Sequence, residues 1–176
     1  MTRDELLEKI LATYSRCYDI VRGGEPPLVA RAEFHERQAG FVLVRRAETW
    51  AADRHEFAFF FSVPRLSSGL FAECVARVRE LGGPLVHPKA GHMCTSLVAI
   101  FLCDFADEAA VRELRKFRYS KSFKLSLNGW MEVQTAAAVL SSGEAVSNAA
   151  GRRVAKFLKM KLGGKRPGRK RLFGIF

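Results

Sequence analysis

Apolar residues recur at three- and four-residue steps near the start of the chain: Leu6, Leu7, Ile10, Leu11, Tyr14, Cys17, Tyr18 and Val21. That spacing predicts one amphipathic helix over residues 3–22, which Gly23-Gly24-Glu25-Pro26-Pro27 ends. Three β-type runs follow, over residues 28–37, 40–49 and 55–63. The third, Phe57-Ala58-Phe59-Phe60-Phe61-Ser62-Val63, is apolar on both sides of the pleat and predicts a central strand covered on both faces. A helix from Ser67 to Leu81 gathers Leu70, Phe71, Cys74, Val75, Val78 and Leu81 on one stripe, and Gly82-Gly83-Pro84 breaks the chain after it.

Residues 94–103 repeat the doubly apolar pattern. Asp107 begins a short helix through Val111, Leu114 and Phe117. In residues 123–148, Ser142-Gly143 sits between two apolar runs as a hairpin turn. The last helical pattern spans 149–162. The order α-β-β-β-α-β-α-β-β-α predicts an α+β fold, a single domain with a mixed or antiparallel β-sheet and packed helices. Within it we distinguish a globular α+β domain (1–150), a basic amphipathic helix (151–162) and a flexible basic tail with an apolar terminus (163–176).

Charge changes this picture. The 176 residues carry 29 Lys+Arg against 18 Asp+Glu, a net +11. Ten of the basic residues lie from Arg152 onward, beyond the last acid at Glu144. Residues 112–124 hold six more, Arg112, Arg115, Lys116, Arg118, Lys121 and Lys124, against Glu113 alone. The rest of the chain is mildly acidic. The internal segment interleaves cations with Phe117, Tyr119 and Phe123, the mixture that single-stranded nucleic-acid binders use on backbone and bases. The bland alternative has the rings in the core and the cations on a solvated helix face.

On the final helix Arg152, Arg153, Lys156 and Lys159 oppose Val154, Phe157, Leu158 and Leu162. Lys165, Arg166, Arg169, Lys170 and Arg171 follow, and the chain ends Leu172-Phe173-Gly174-Ile175-Phe176. These cations predict a polyanion-binding surface, nucleic acid first and an anionic membrane surface second. A protein partner is a third reading.

Candidate chemistry in the body is sparse. No dinucleotide fingerprint and no Walker-type loop occurs. Glu33 and His35 share one side of a strand, Glu56 opens the third strand and His92 precedes the fourth. Were these strand ends to converge, the four could hold a divalent metal that activates water, the basis of a metal-dependent hydrolase. The bland alternative is polar residues scattered over an ordinary sheet.

The order α-β-β-β-α-β also matches the core of restriction-endonuclease-like nucleases. The third strand here reads Glu56-Phe57-Ala58, without their acid-x-lysine pair. Cys94 follows His92 by two residues, which puts both on one face, but nothing nearby orients a thiolate pair. The four cysteines lie in apolar surroundings with no paired spacing, which suits reduced thiols in a cytoplasmic protein. No secretory signal is visible and no apolar run is long enough to span a bilayer.

Short motifs at Ala32-Glu33-Phe34-His35, Trp50-Ala51-Ala52, Glu56 through Phe61, His92-Met93, Lys121-Ser122-Phe123-Lys124 and Gly129-Trp130 resemble an uncharacterised family of small bacterial proteins over roughly residues 28–150. The resemblance implies a bacterial cytosolic protein. That family has no assigned activity, so no catalytic residue carries over.

Overall fold

The first helix, α1 (Arg3–Tyr14), starts from a capping box: the Thr2 hydroxyl accepts from the Glu5 amide while the Glu5 carboxylate accepts from the Thr2 amide. The structure is a computed structural model that describes residues 1–41, 48–89 and 92–163. Eleven further elements are named in chain order: β1 (Asp19–Arg22), β2 (Leu28–Phe41), β3 (Glu48–Leu66), α2 (Ser68–Gly82), a 3-10 turn (Gly83–Leu85), β4 (His92–Ala106), α3 (Glu108–Lys116), β5 (Ser120–Ser122), β6 (Trp130–Val139), β7 (Glu144–Ser147) and α4 (Arg152–Lys161). The fold is α+β on a single mixed sheet.

One boundary differs from the expectation. The helical pattern through residue 22 breaks after Tyr14, and Asp19–Arg22 instead pairs antiparallel with β2, Asp19 opposite Glu33 and Arg22 opposite Ala30. The Tyr18 ring still packs on Tyr14, at 4.5 Å between centroids, so it serves the same core from a strand. The expected strand over 40–49 lies partly outside the described residues; its flanks belong to β2 and β3.

The strands run in the order β1-β2-β3-β4-β6-β5, with β7 also on β6. β3, β4 and β6 are mutually parallel and the remaining pairs antiparallel. The two parallel crossovers run through α2 and α3, which pack on one face of the sheet, as a common crossover hand requires. The other face carries α1 and α4.

This three-layer arrangement explains the doubly apolar strands. Phe57, Phe59, Phe61, Leu97, Ala99 and Phe101 enter the α2/α3 core, while Ala58, Phe60, Val98, Ile100 and Leu102 enter the α1/α4 core. Val154 and Leu158 of α4 are buried in that second core. The Ser142-Gly143 turn joins β6 to β7 as expected, with Gly143 at φ +62°.

The helices do not cover the whole sheet. A 12-residue helix is about 18 Å long, whereas the 19 residues of β3 run roughly 60 Å. On the α1/α4 side, the starts of β3, β4 and β6 therefore extend past the end of α1.

Candidate functional site

The two basic segments occupy opposite layers, α3 on one face and α4 on the other, and one residue joins them. Asn148, 2 % exposed, follows β7. Its side-chain nitrogen donates to Val133 O (3.1 Å) and to Phe117 O (3.3 Å), where α3 ends. Its side-chain oxygen accepts from Thr135 N (3.2 Å) and from Gly151 N (2.8 Å), where α4 begins. A Cβ on Gly151 would lie 2.6 Å from Thr135 O, so the close approach of α4 to the sheet needs glycine there. The Thr135 hydroxyl reaches Leu114 O (3.3 Å) and fixes α3 from the same strand.

Cations gather around this junction. Residues 1–106 carry 13 basic and 13 acidic side chains, but residues 107–163 carry 11 basic and 5 acidic. Arg112, Arg115, Lys116, Arg118, Lys121 and Lys124 are all exposed, as are Arg152, Arg153, Lys156 and Lys159. Arg112 pairs with Glu108 at 3.5 Å, and Arg118 donates to the carbonyls of Arg115 and Phe117. Of the aromatics, Phe117, Tyr119 and Phe123 pack partly against the α2/α3 core. Arg79 lies over the Tyr119 ring at 4.2 Å. Lys165, Arg166, Arg169, Lys170 and Arg171 and the apolar terminus lie outside the described residues.

After β5 the chain makes a turn of unusual backbone. Lys124, Leu125 and Ser126 have φ of 47°, 52° and 69°, three successive non-glycine residues in the left-handed region. Bonds from Leu127 N to Lys124 O, Asn128 N to Phe123 O and Gly129 N to Ser126 O hold it. It displays Leu125, 96 % exposed, and Leu127, 79 % exposed, among Lys121 and Lys124.

The four residues expected to hold a metal do not meet. Glu33 and His35 lie on the α2/α3 side of the sheet, where His35 Nδ1 is 2.8 Å from His55 Nδ1 and His35 Nε2 is 4.0 Å from Glu33. His92 stacks on His55, with 6.1 Å between ring centroids. Both His92 nitrogens are occupied: Nδ1 donates to Asn128 O (2.9 Å), so Nε2 accepts from the Thr95 hydroxyl (2.9 Å). Glu56 points to the opposite face, in phase with Ala58 and Phe60. Among the described residues no group of three or more His, Cys, Asp or Glu is placed to hold a metal.

The expectation that His92 and Cys94 share a face also fails. Asp53 pairs with His92 but Arg54 with Cys94, so Met93 is an extra residue that reverses the alternation. Cys94 therefore faces the α1/α4 side. Burial pushes the thiol of Cys74 up to about 11 and that of Cys103 up to about 12, which makes both inert.

Glu56 belongs to a groove that the uncovered strand ends leave beside α1 and α4. The groove has two lobes of about 330 Å³ each, sharing Cys17, Tyr18, Glu56 and Arg153. The Tyr18 hydroxyl donates to Glu56 Oε1 at 2.9 Å. Burial holds the Glu56 carboxyl above the ordinary carboxylate range, opposed by the Tyr18 bond and by the charges of Arg153 and Arg54. Burial and the Glu56 charge likewise raise the Tyr18 phenol.

Gln134 donates to Ser96 Oγ (3.2 Å) and Glu132 Oε1 (2.7 Å) at the groove's far side. Tyr18, Arg54, Ser96, Gln134 and Asn148 carry no signal in the linear pattern. Only Glu56 does, as a charge opening an apolar strand.

A model of a family described as a domain of unknown function, DUF8052, matches residues 2–160, and the chain belongs to that family. No curated protein and no solved structure matches it.

Proposed function

We propose that this DUF8052 chain is a polyanion-binding module whose ligand is nucleic acid, held along the basic edge around β6. The observation that carries the reading is the double attachment of Asn148 to Phe117 O and Gly151 N. Through it the end of α3 and the start of α4, each followed or preceded by exposed arginine and lysine, flank one strand. Cations from sequence segments some thirty residues apart thereby face a single extended ligand, and the tail adds five more.

Contacts of this kind neutralise phosphate and read no bases. With about five to eight cations engaged, log K falls against log salt with a slope of roughly −4.5 to −7. The test is a salt titration of the full chain on duplex and single-stranded oligonucleotides. Reversing Arg115, Arg118 and Lys121 to Glu lowers affinity and flattens the slope by about three. Unchanged affinity and slope would refute the reading. A chain ending after Gly163 isolates the tail's share. One ending at residue 151 is unsuitable, because it strips Val154 and Leu158 from the core.

One observation favours a second reading, an anionic membrane surface: the exposed Leu125 and Leu127 between lysines. Among the described residues no helix is long and apolar enough to cross a membrane, so contact would be at the interface. Changing both leucines to Ser abolishes co-sedimentation with anionic vesicles on this reading and leaves oligonucleotide binding intact on the first.

A further inference from the structure

Glu56 opens a strand that continues Ala58 and Phe60 into the core, a position where an apolar side chain would pack without desolvation cost. Its carboxylate instead sits in the groove with one oxygen bonded by Tyr18. Arg54 and Arg153 line the same groove, and among the described residues neither makes an ion pair within 4.0 Å. Both act on Glu56 through their charges without contacting it.

The groove therefore offers two guanidinium groups with unspent donors, beside a carboxylate with a free oxygen. Ser96 accepts from Gln134 and keeps its own hydroxyl proton to give. Phe34 and Tyr18 stand at one side, with their rings 5.2 Å apart, and Tyr14, Val154 and Phe157 line the second, more apolar lobe.

We propose that this groove is a binding site for a small organic anion that also carries an N–H donor and a planar apolar body. The anionic group takes the Arg54 and Arg153 guanidiniums, the N–H donates to Glu56, and the planar part lies against the rings. The lobes' volumes suit a ligand of nucleotide or amino-acid size. A guanine nucleotide and an aromatic amino acid both present this chemistry. A carboxylate pairs with the N1–H and N2–H edge of guanine as it does with an ammonium group. The site meets the basic edge at Arg153, whereas Arg54 and Glu56 belong to neither basic segment.

The test is calorimetric titration of the full chain with guanosine monophosphate and, separately, with tryptophan. Inorganic phosphate alone is the control for charge binding at the basic edge. At least one of the two is expected to bind with Kd of about 1 mM or tighter. That binding weakens at least about tenfold in Glu56→Gln and in Arg54→Gln, since each removes a charge-assisted bond.

Circular dichroism is the check that both variants fold, and their oligonucleotide affinity is expected to stay at the wild-type level. Binding of guanosine monophosphate but not tryptophan identifies a nucleotide, and the reverse identifies an amino acid. Absence of binding by both, equal binding by phosphate alone, or unchanged binding in the two variants would overturn the proposal. Neither variant touches Arg115, Arg118 or Lys121, on which the nucleic-acid reading is tested, so the two readings fail separately.

Discussion

Asn148 and Thr135 bond each other twice, through unlike groups. The Asn148 amide donates to Thr135 O at 3.0 Å, and the Thr135 amide donates back to the Asn148 side chain at 3.2 Å. A side-chain carbonyl thus stands where the next strand's backbone would be. Replacing Asn148 by Ala leaves Thr135 N, Gly151 N and two carbonyls without this partner in a buried place. We expect a loss of about 3 kcal/mol, read as a fall in Tm of about 6–12 °C at this chain length.

Glu56 makes stability depend on pH in a defined direction. Its carboxyl is held above the ordinary value by burial, so the folded state binds this proton more tightly than the unfolded chain does. Its stabilising contribution is complete below the ordinary carboxylate pKa and is lost as pH rises through the raised value. Glu56→Gln keeps an acceptor for Tyr18 and cannot ionise. As pH rises from the ordinary carboxylate pKa through the raised value, urea melts should show the variant gaining stability relative to wild type; a constant difference contradicts the assignment.

The left-handed turn at Lys124, Leu125 and Ser126 stores backbone strain. Leu125 has almost no packing to lose. Leu125→Asn, a residue that accepts this region more readily, should stabilise by about 1 kcal/mol, or raise Tm by about 2–4 °C. Thermal denaturation checks it.

α4 contributes to the core, and Leu158 is fully buried in it. Leu158→Ala should cost about 2–5 kcal/mol, measured by chemical denaturation. Lys159→Ala, on the exposed side of the same helix, should stay within about 0.5 kcal/mol.

Much of this architecture is written locally. Ser67 caps α2 through its hydroxyl, and the strands apolar on both faces imply helices on both sides before any contact is known. The end of α1 is not written that way. Tyr14, Cys17, Tyr18 and Val21 keep a helical period, and only the pairing of Asp19–Arg22 with distant Ala30–Glu33 decides for a strand.

The candidate metal set failed on similar grounds. Register places His35 against His55, and the alternation of β3 turns Glu56 away. The extra residue at Met93 then sends His92 and Cys94 to opposite faces. The basic segments were legible as charge. Their meeting was not, because it depends on Asn148, a polar residue that resembles any other turn asparagine in the linear chain.

The outer side of β6 is shared by two strands too short to cover it alone. β5 takes Trp130–Glu132 and β7 takes Ala136–Val139. Between them Val133 N donates to Tyr119 O, and Asn148 takes the remaining Val133 and Thr135 groups. No stretch of that backbone is left open to recruit a strand from another molecule. For a chain whose central strands are apolar on both faces, this closure is a guard against edge-to-edge aggregation. A variant that opens the Asn148 gap should therefore lose colloidal behaviour as well as stability, exposing a template for self-association at the very margin where the cations are displayed.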